Sequence, residues 1–519
     1  MNALAVLSSR ERFYEQSRQE FEDIIRRLDS EEVRSMTHSE IERELEKMGR
    51  ELMRKLLQEH LESRGLGESA QPIRGSDGVE RPRVRLQGRE LETIFGTVSV
   101  ERAGYGQEGS RSLHPLDAEL NLPDKKYSLE LSRRVAEEAA KSSFDETFGS
   151  IGKMTGGHVP KRQIEEIVMR AARDFDAFYE MRQGQPAEVK QTGSIMVMSV
   201  DGKGVVMLTK DLREQTRKAA KARKHKMGAR LSKGEKKNAK RTATVAAVYT
   251  IAPFVRKPED LVPENDSERA EPPRPRPEKK RVWASLEKTP EEVIEKAFEE
   301  AGCRDPGHRK KWVALVDGNK PQIRILRRMA KEKGIDLTII VDVVHVTEYL
   351  WDAGRAFHPE SGEELESWVR VRLLEILRGK AGYVAGGVRR SATLRDFASP
   401  DRKPVDACAN YLLTYGPYLK YNHYLAQGFP IATGVIEGAC RHLVKDRMEV
   451  TGARWSLNGA EAVLRLRALR SSHDFDEYWT FHEAQEYEHN HRALYAGGIV
   501  PPTLKPRPTR KRNHLKAVK

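Results

Sequence analysis

The chain has 519 residues, of which 38% are hydrophobic, 92 are Lys or Arg and 78 are Asp or Glu, so its formal net charge is +14. This length is too great for one hydrophobic core and predicts roughly two to four domains. The absence of any run of about 18 apolar residues argues against a membrane span, the first residues lack a signal-peptide pattern, and three scattered cysteines suit a reducing compartment.

Positive charge is concentrated in two segments. Residues 210–241 contain 14 Lys or Arg against 3 Asp or Glu, and residues 498–519 contain 7 Lys or Arg and no acid. Concentrated cations on a nearly neutral remainder favour a polyanionic partner, and nucleic acid is the default. The alternative is a solvated loop with a solubilising tail. In the first segment, five residues are expected to contact DNA phosphates: Lys218, Arg223, Lys224, Lys236 and Lys237.

The first part of the chain is predicted to be mainly α-helical. Residues 1–65 form an N-terminal helical region, and residues 66–127 combine a linker with a small β element around "TIFGTVSVERAGY". Alternation of apolar and polar residues about Val98 and Val100 indicates this β element.

Residues 128–185 are predicted to be a helical, helix-turn-helix-like DNA-binding domain. Ser143 and Glu146 form a capping box, "TGGH" interrupts the helical pattern, and Pro160 marks the next helix start. This second helix opens with Lys161 and Arg162, which we expect to contact DNA. The alternative is a packed helical hairpin without a DNA-binding role.

From residue 194 onwards the pattern changes to apolar, β-branched runs that predict strands. They are "SIMVMSVDG", "GVVMLT", "TATVAAVYTI", "KWVALVDGN" and "DLTIIVDVVH". Helical segments separate the last two from each other and from the first three, which implies a mixed α/β sheet. We expect a catalytic core in residues 190–345 and 431–495, with a basic insertion at 210–241, a proline-rich linker at 256–281, a helical insertion at 346–430 and a basic disordered tail at 496–519.

Two of the predicted strands end in the same way, with an aspartate followed by a glycine. Asp201 and Asp317 occupy these positions, although Asp-Gly is also a favoured turn dipeptide and this alternative stays open. A third carboxylate, Glu437, opens the helical stretch "TGVIEGACRHLVKDRMEV". Carboxylates at strand ends and on a covering helix can converge on one point, where a cation such as Mg²⁺ or Mn²⁺ would keep them ionised.

The sequence resembles the ISKra-type bacterial insertion-sequence transposases of the Asp-Asp-Glu, ribonuclease H-like superfamily. The segments that carry the resemblance are "IATGVIEGACRHLVKDRMEVTGARW", "WVALVDGN", "VDVVHVTEYLWDAG" and "FGTVSVERAGY". The resemblance implies a ribonuclease H-like α/β core with a helical insertion. It also implies that Asp201, Asp317 and Glu437 bind two Mg²⁺ or Mn²⁺ ions about 4 Å apart.

Four further residues are expected to assist the triad, two near a strand end and two on the helix of Glu437. Asp342 and His345, spaced D-x-x-H, resemble a motif of related transposase groups and are assigned an accessory role; the alternative is a polar pair at a strand end. Counted as an α-helix, Glu437, Arg441, Lys445 and Met448 share one stripe, so Arg441 and Lys445 are expected to face DNA phosphates.

The sequence therefore predicts a DNA transposase that binds the ends of an insertion sequence and performs metal-dependent phosphodiester hydrolysis and strand transfer. Its expected partners are double-stranded transposon-end and target DNA and further copies of the chain, and its expected location is the bacterial cytoplasm, at the nucleoid. The alternative is a non-catalytic DNA-binding protein derived from a decayed or domesticated transposase.

Overall fold

The computed structural model of the protein describes residues 14–184, 192–222, 239–262, 273–360, 362–450 and 452–504. The chain divides into two compact units. The first comprises Met1–Phe178 and Asp476–Lys519, and the second comprises Tyr179–Phe475. Of the segment 431–495, expected to complete the catalytic core, residues 431–475 lie in the second unit and residues 476–495 in the first.

The first unit is built on helices and one β-hairpin. Its elements in chain order are α1 (Glu15–Leu28), α2 (Glu31–Arg34), α3 (His38–Ser63), β1 (Arg83–Thr93), β2 (Gly96–Gly106), α4 (Pro115–Glu119), α5 (Leu129–Lys141), α6 (Phe144–Met154) and α7 (Lys161–Ala171). Helix α8 (Phe175–Gln183) leads into the second unit, and α21 (Phe475–Asn490) returns from it.

The predicted small β element is confirmed as the hairpin β1–β2, which is antiparallel along its full length. Its alternation follows the predicted pattern, because Val98 and Val100 are buried while Thr97 before them and Ser99 between them are exposed. The buried side joins one core cluster with residues of α3 and α4, among them Leu61 and Leu116.

Helices α5, α6 and α7 pack on one another. Ser143 caps α6 in a capping box with Glu146, as predicted. Pro160 is the N-cap of α7, so the helix begins at Lys161. A proline suits this position because its fixed φ favours the helix start and its missing N–H would have no helical partner there.

The second unit contains a five-stranded mixed sheet. Its elements in chain order are β3 (Ile195–Val206), α9 (Glu214–Lys221), β4 (Lys240–Ile251), α10 (Pro258–Leu261), β5 (Glu278–Ser285), α11 (Pro290–Arg304), β6 (Lys311–Val316), α12 (Lys320–Glu332), β7 (Leu337–Val341), α13 (Val343–Phe357), α14 (Glu363–Leu377), α15 (Ala381–Leu394), α16 (Ser399–Tyr415), α17 (Tyr421–Ala426), α18 (Gly434–Ala439), α19 (Asp446–Met448) and α20 (Leu457–Ser471).

The strand order is β5-β4-β3-β6-β7, antiparallel from β5 to β3 and parallel from β3 to β7. The mixed α/β sheet is therefore confirmed. Its individual strands differ from the prediction, because the first two predicted strands are one strand, β3. This strand passes through Gly202 and Gly204 without a break, since β4 pairs with it residue by residue.

Strand β5 was missed because most of its residues fall in or beside the segment predicted to be a proline-rich linker. The strand begins with exposed charged residues and only then buries Val282, Trp283 and Ala284. A short apolar run after a charged segment carries little strand signal, and pairing with β4 decides its conformation.

Candidate functional site

Three aspartates lie at the same level of three neighbouring parallel strands. Ser199 of β3 pairs with Leu315 of β6, so Asp201 and Asp317 each lie two residues further along their strands. Val316 of β6 pairs with Val341 of β7, so Asp342 is level with Asp317. Because adjacent strands are about 4.8 Å apart, the register brings the three positions into one row.

Asp201 lies inside β3 rather than in a turn. It pairs with Val245 of β4, which removes the Asp-Gly turn alternative at this position. One carboxylate oxygen accepts from the Gly202 N–H at 2.6 Å, and the other lies 3.2 Å from the Cys440 thiol. Burial and then the Asp201 charge raise the pKa of Cys440, so the thiol is neutral and donates its hydrogen to Asp201.

Asp317 follows β6 directly and begins a turn. Its Oδ1 accepts from the Asn319 N–H at 2.9 Å, and Gly318 adopts φ +97°, which strongly favours glycine. Two tyrosines of α16 hold this turn by donating to its carbonyl oxygens, Tyr411 to Asp317 O at 3.3 Å and Tyr415 to Gly318 O.

The surroundings of Asp317 disfavour its ionised form. Burial is the main cause that raises its pKa, and the Asp201 charge raises it further against the opposing Asn319 hydrogen bond and His345 charge. The negative charge of Asp201 thus makes ionisation of Asp317 less favourable. A divalent cation between them would oppose both effects.

Glu437 reaches this region on α18, which packs against β3 and β4. Its side chain is exposed, and its Oε1 lies 3.4 Å from the Thr433 hydroxyl. Its charge also contributes to the raised pKa of Cys440, the residue that contacts Asp201. The charges of Glu437 and Asp201 therefore both raise the pKa of Cys440.

Asp342 is completely buried and joins the start of α13 to the segment before α18. Its Oδ1 accepts from the Val344 N–H at 2.8 Å, and its Oδ2 accepts from the Thr433 hydroxyl. The Val343 N–H donates to Ile431 O at 3.0 Å. These bonds form a clamp, which we call the Asp342–Thr433 clamp, between the end of β7 and the residues just before Glu437.

His345 lies one turn further along α13. Burial lowers its pKa, but a 3.0 Å contact with Glu348 and the charges of Glu348, Asp342 and Asp317 raise it above its ordinary value. The accessory pair thus divides into a buried cap, Asp342, and a half-exposed histidine that interacts electrostatically with Asp317.

The helix of Glu437 departs from α-helical geometry directly after α18. Cys440–Lys445 form a π-helical segment, which continues into α19. The α-helical count placed Met448 on the stripe of Glu437, and this was wrong. Met448 is fully buried while Arg441 and Lys445 are exposed, because i→i+5 bonding inserts additional residues into the turn.

The triad is not gathered into a finished metal cage. Within the residues that the structure describes, no group of three or more His, Cys, Asp or Glu residues is arranged to hold one metal ion. Asp201 and Asp317 are brought together on adjacent strands, whereas Glu437 contacts Thr433 of the clamp and acts on Cys440 only through its charge.

The residues expected to contact DNA have different surroundings. Lys161 lies 2.7 Å from Asp145, and the highly exposed Arg162 lies 3.5 Å from Glu166. Lys218 of α9 is exposed and pairs with Glu214 at 2.8 Å. The remaining cations assigned to the basic segment lie outside the described residues: Arg223, Lys224, Lys236 and Lys237.

Sequence reasoning missed the residues that support the carboxylates. Thr433 could have been noticed, because threonine commonly precedes a helix and "TGVIEG" opens one. Tyr411 and Tyr415 share a helix face at i, i+4 spacing, but nothing local shows that this face meets Gly318. The sequence gives no sign that Cys440 meets Asp201, which lies 239 positions away.

Comparison with curated proteins gives a short similarity. A segment of 89 residues is 30% identical to the "UPF0236 protein in vanSb 3'region" of Streptococcus gallolyticus. The match covers 17% of this chain and 20% of that protein, so the chain is similar to about a fifth of the length of this curated relative. No protein-family model matches the chain.

Of the described residues, no helix is both long and apolar enough to cross a membrane.

Proposed function

We propose that the protein is a DNA transposase with a ribonuclease H-like core, in which Asp201, Asp317 and Glu437 support metal-dependent phosphodiester cleavage and strand transfer. The observation that carries the proposal is the alignment of Asp201 and Asp317 on adjacent parallel strands, with the helix of Glu437 packed on β3, the strand of Asp201. The mixed sheet, with helices between its last strands, supports the proposed fold class.

The donor set fits a hard divalent cation. Carboxylate oxygens are the ligands that Mg²⁺ and Mn²⁺ prefer, and burial together with mutual repulsion disfavours ionised Asp317 unless positive charge is added. Asp201, Asp317 and Glu437 would hold two such ions, which, when bound, activate the attacking oxygen and stabilise the leaving one. The Glu437 side chain is exposed, and one of its oxygens lies 3.4 Å from the Thr433 hydroxyl.

The chain's own residues would orient these ligands and the DNA. Cys440 holds one oxygen of Asp201, the tyrosines of α16 hold the turn of Asp317, and the Asp342–Thr433 clamp holds the segment before Glu437. Arg441 and Lys445 project from the helix that carries Glu437 and would contact the DNA backbone.

The decisive experiment is a cleavage assay on DNA that carries the sequences flanking the gene, with Mg²⁺, Mn²⁺ or a chelator. We expect cuts at the element ends with either metal, no cuts with chelator, and joining of the new 3′ ends to target DNA. Metal-independent cleavage, or cleavage without preference for the flanking sequences, would contradict the proposal.

A second function is a non-catalytic DNA-binding protein from a decayed or domesticated element. The observation that favours it is that the carboxylates of the described chain are not gathered into a metal cage. Specific binding of the element ends without any metal-dependent cutting would support this second function over the first.

A further inference from the structure

A cavity of about 450 Å³ opens beside the first residues of β7, away from the carboxylates. It is lined by Leu337, Thr338 and Ile339 of β7 and by residues of α12, the 3-10 turn Gly416–Tyr418 and α17. At about 3.3 Å per residue, the lining part of β7 lies some 10 to 17 Å from Asp342. The cavity is therefore separate from the proposed metal site.

The cavity collects positive charge. Arg327, Lys420 and His423 line it and are exposed, and no carboxylate is among its lining residues. Across the described parts of the chain, none of these three side chains forms an ion pair with an acid. The neighbouring Arg328, in contrast, pairs with Glu291 and Glu332.

Aromatic side chains complete the wall. The Arg327 guanidinium lies 4.9 Å from the centre of the Tyr418 ring, and Tyr424 is almost fully buried beside the cavity. Uncompensated cations favour an anionic ligand, and an arginine stacked on a half-exposed aromatic ring is a common platform for a nucleobase. The volume lies within the ordinary range for small-molecule sites.

We propose that this cavity is a binding site for a nucleoside phosphate, with the phosphate on Arg327, Lys420 and His423 and the base against Tyr418. The same chemistry is offered by a free nucleotide and by one nucleotide of a single DNA strand. The inference does not depend on the cleavage activity proposed above, because it concerns binding without divalent metal.

The test measures displacement of a fluorescent 12-nucleotide oligothymidylate from the full-length chain, in chelator, by dTMP, unlabelled oligothymidylate or inorganic phosphate. We expect dTMP to displace the probe better than inorganic phosphate does, because the base adds contact with Tyr418. Displacement by oligothymidylate at lower concentration than dTMP assigns the site to a DNA strand, and stronger displacement by dTMP assigns it to a free nucleotide.

Variants separate the cavity from general electrostatic attraction. Arg327→Gln should raise the Kd for the probe about five- to tenfold and flatten its salt dependence by about 0.7 in log–log slope. Arg324→Gln removes one exposed cation from the same helix outside the cavity and should change the Kd less than about twofold. Tyr418→Leu should remove the advantage of dTMP over phosphate.

Two results would overturn the inference. One is equal weakening by Arg327→Gln and Arg324→Gln, which would show attraction to the surface as a whole. The other is displacement by inorganic phosphate as effective as displacement by dTMP. Circular dichroism checks that each variant is folded. If Arg327→Gln does not fold, Lys420→Gln, just before α17, and His423→Gln, in its first turn, provide the same test.

Discussion

Thr433 connects a buried carboxylate to the start of the helix that carries Glu437. Its hydroxyl donates to Asp342, and its carbonyl oxygen accepts from the Glu437 N–H at 3.0 Å. Asp342 is buried with its second oxygen already occupied by the Val344 N–H. Thr433 is therefore a positioning residue for Glu437.

We expect Thr433→Val to reduce metal-dependent cleavage about 10- to 100-fold, because the isosteric side chain cannot donate to Asp342 and loosens the support of a ligand. The reduction should be smaller at high Mg²⁺, since weaker metal binding is part of the cause. Thr433→Ser keeps the hydroxyl and should retain most activity. Equal losses in both variants, or a loss independent of Mg²⁺, would argue against this role.

Asp317 provides the most direct test of the triad. Asp317→Asn keeps the shape of the side chain but removes its charge, so we expect cleavage to fall by more than about 100-fold while binding to the element ends changes little. Asp336→Asn makes the same change at an exposed position before β7 and should leave both unaffected. Parallel loss of binding and cleavage would indicate a folding role instead.

At the scale of elements, β5 and α11 are joined by buried charges. Arg281 of β5 pairs with Glu300 of α11, and Arg304 donates to the same carboxylate at 2.8 Å. Burial alone would raise the pKa of Glu300, but the two arginines outweigh it and lower the pKa to about 2. Because the folded pKa lies below the ordinary 4.5, this stabilisation is present above pH 4.5 and lost as pH falls towards 2.

Glu300→Gln should lower the free energy of unfolding by about 3 kcal/mol at pH 7, because it leaves Arg281 buried without its counter-charge. The difference from the unmodified chain should shrink at pH 3, where the native carboxylate loses part of its advantage. Glu299→Gln, at the exposed neighbouring position, should change stability by less than about 0.5 kcal/mol. Urea unfolding at pH 7 and pH 3 measures the stability of both variants. If the loss of stability in Glu300→Gln did not change with pH, the lowered pKa of Glu300 would be contradicted.

Residues 155–160 separate α6 from α7, and the exposed Arg162 lies near the start of α7. If this helix enters the major groove, Arg162→Ala should reduce discrimination between element-end and random DNA by about 1–3 kcal/mol, with a smaller loss of affinity for random DNA. Arg134→Ala removes a comparable i,i+4-paired arginine from α5 and serves as the control. Binding titrations with element-end and random DNA measure both affinities. An equal loss of affinity for the two DNAs would show that Arg162 contacts only a phosphate.

At the scale of the whole molecule, the basic segment should attract DNA without reading its sequence. Replacing Lys218, Arg223, Lys224, Lys236 and Lys237 by Gln should weaken binding to specific and random duplexes alike. The slope of log affinity against log salt should become shallower by about 0.9 for each DNA phosphate that the variant no longer neutralises.

A matched control removes five exposed cations from the N-terminal helices. They are Arg18, Arg26, Arg34, Arg43 and Lys47. The control should change the slope less than the basic-segment variant does. An unchanged slope in the basic-segment variant would show that this segment is a solvated loop.

Local sequence determined the features that depend on neighbours in the chain. The alternation in β2, the capping box at Ser143 and the helix start after Pro160 appear in the structure as predicted, because each depends on residues within a few positions. The sequence also singled out Asp201 and Asp317, each after an apolar run, but only Asp317 follows the end of its strand, because β3 continues past Asp201 to Val206. Asp201 and Asp317 lie close together because β3 and β6 pair in parallel with a particular register. A mixed α/β pattern indicates such pairing, but it does not show which residues lie opposite each other.

Tertiary structure alone decided the remaining features. Strand β5 exists because β4 offers it hydrogen bonds, and β3 continues through two glycines because β4 pairs with it throughout. The π-helical segment buries Met448, against the α-helical count from the sequence. Thr433 meets Asp342 across 91 positions of the chain. Such contacts depend on which distant surfaces pack together, and the energy of that packing exceeds the local preferences that a sequence pattern records.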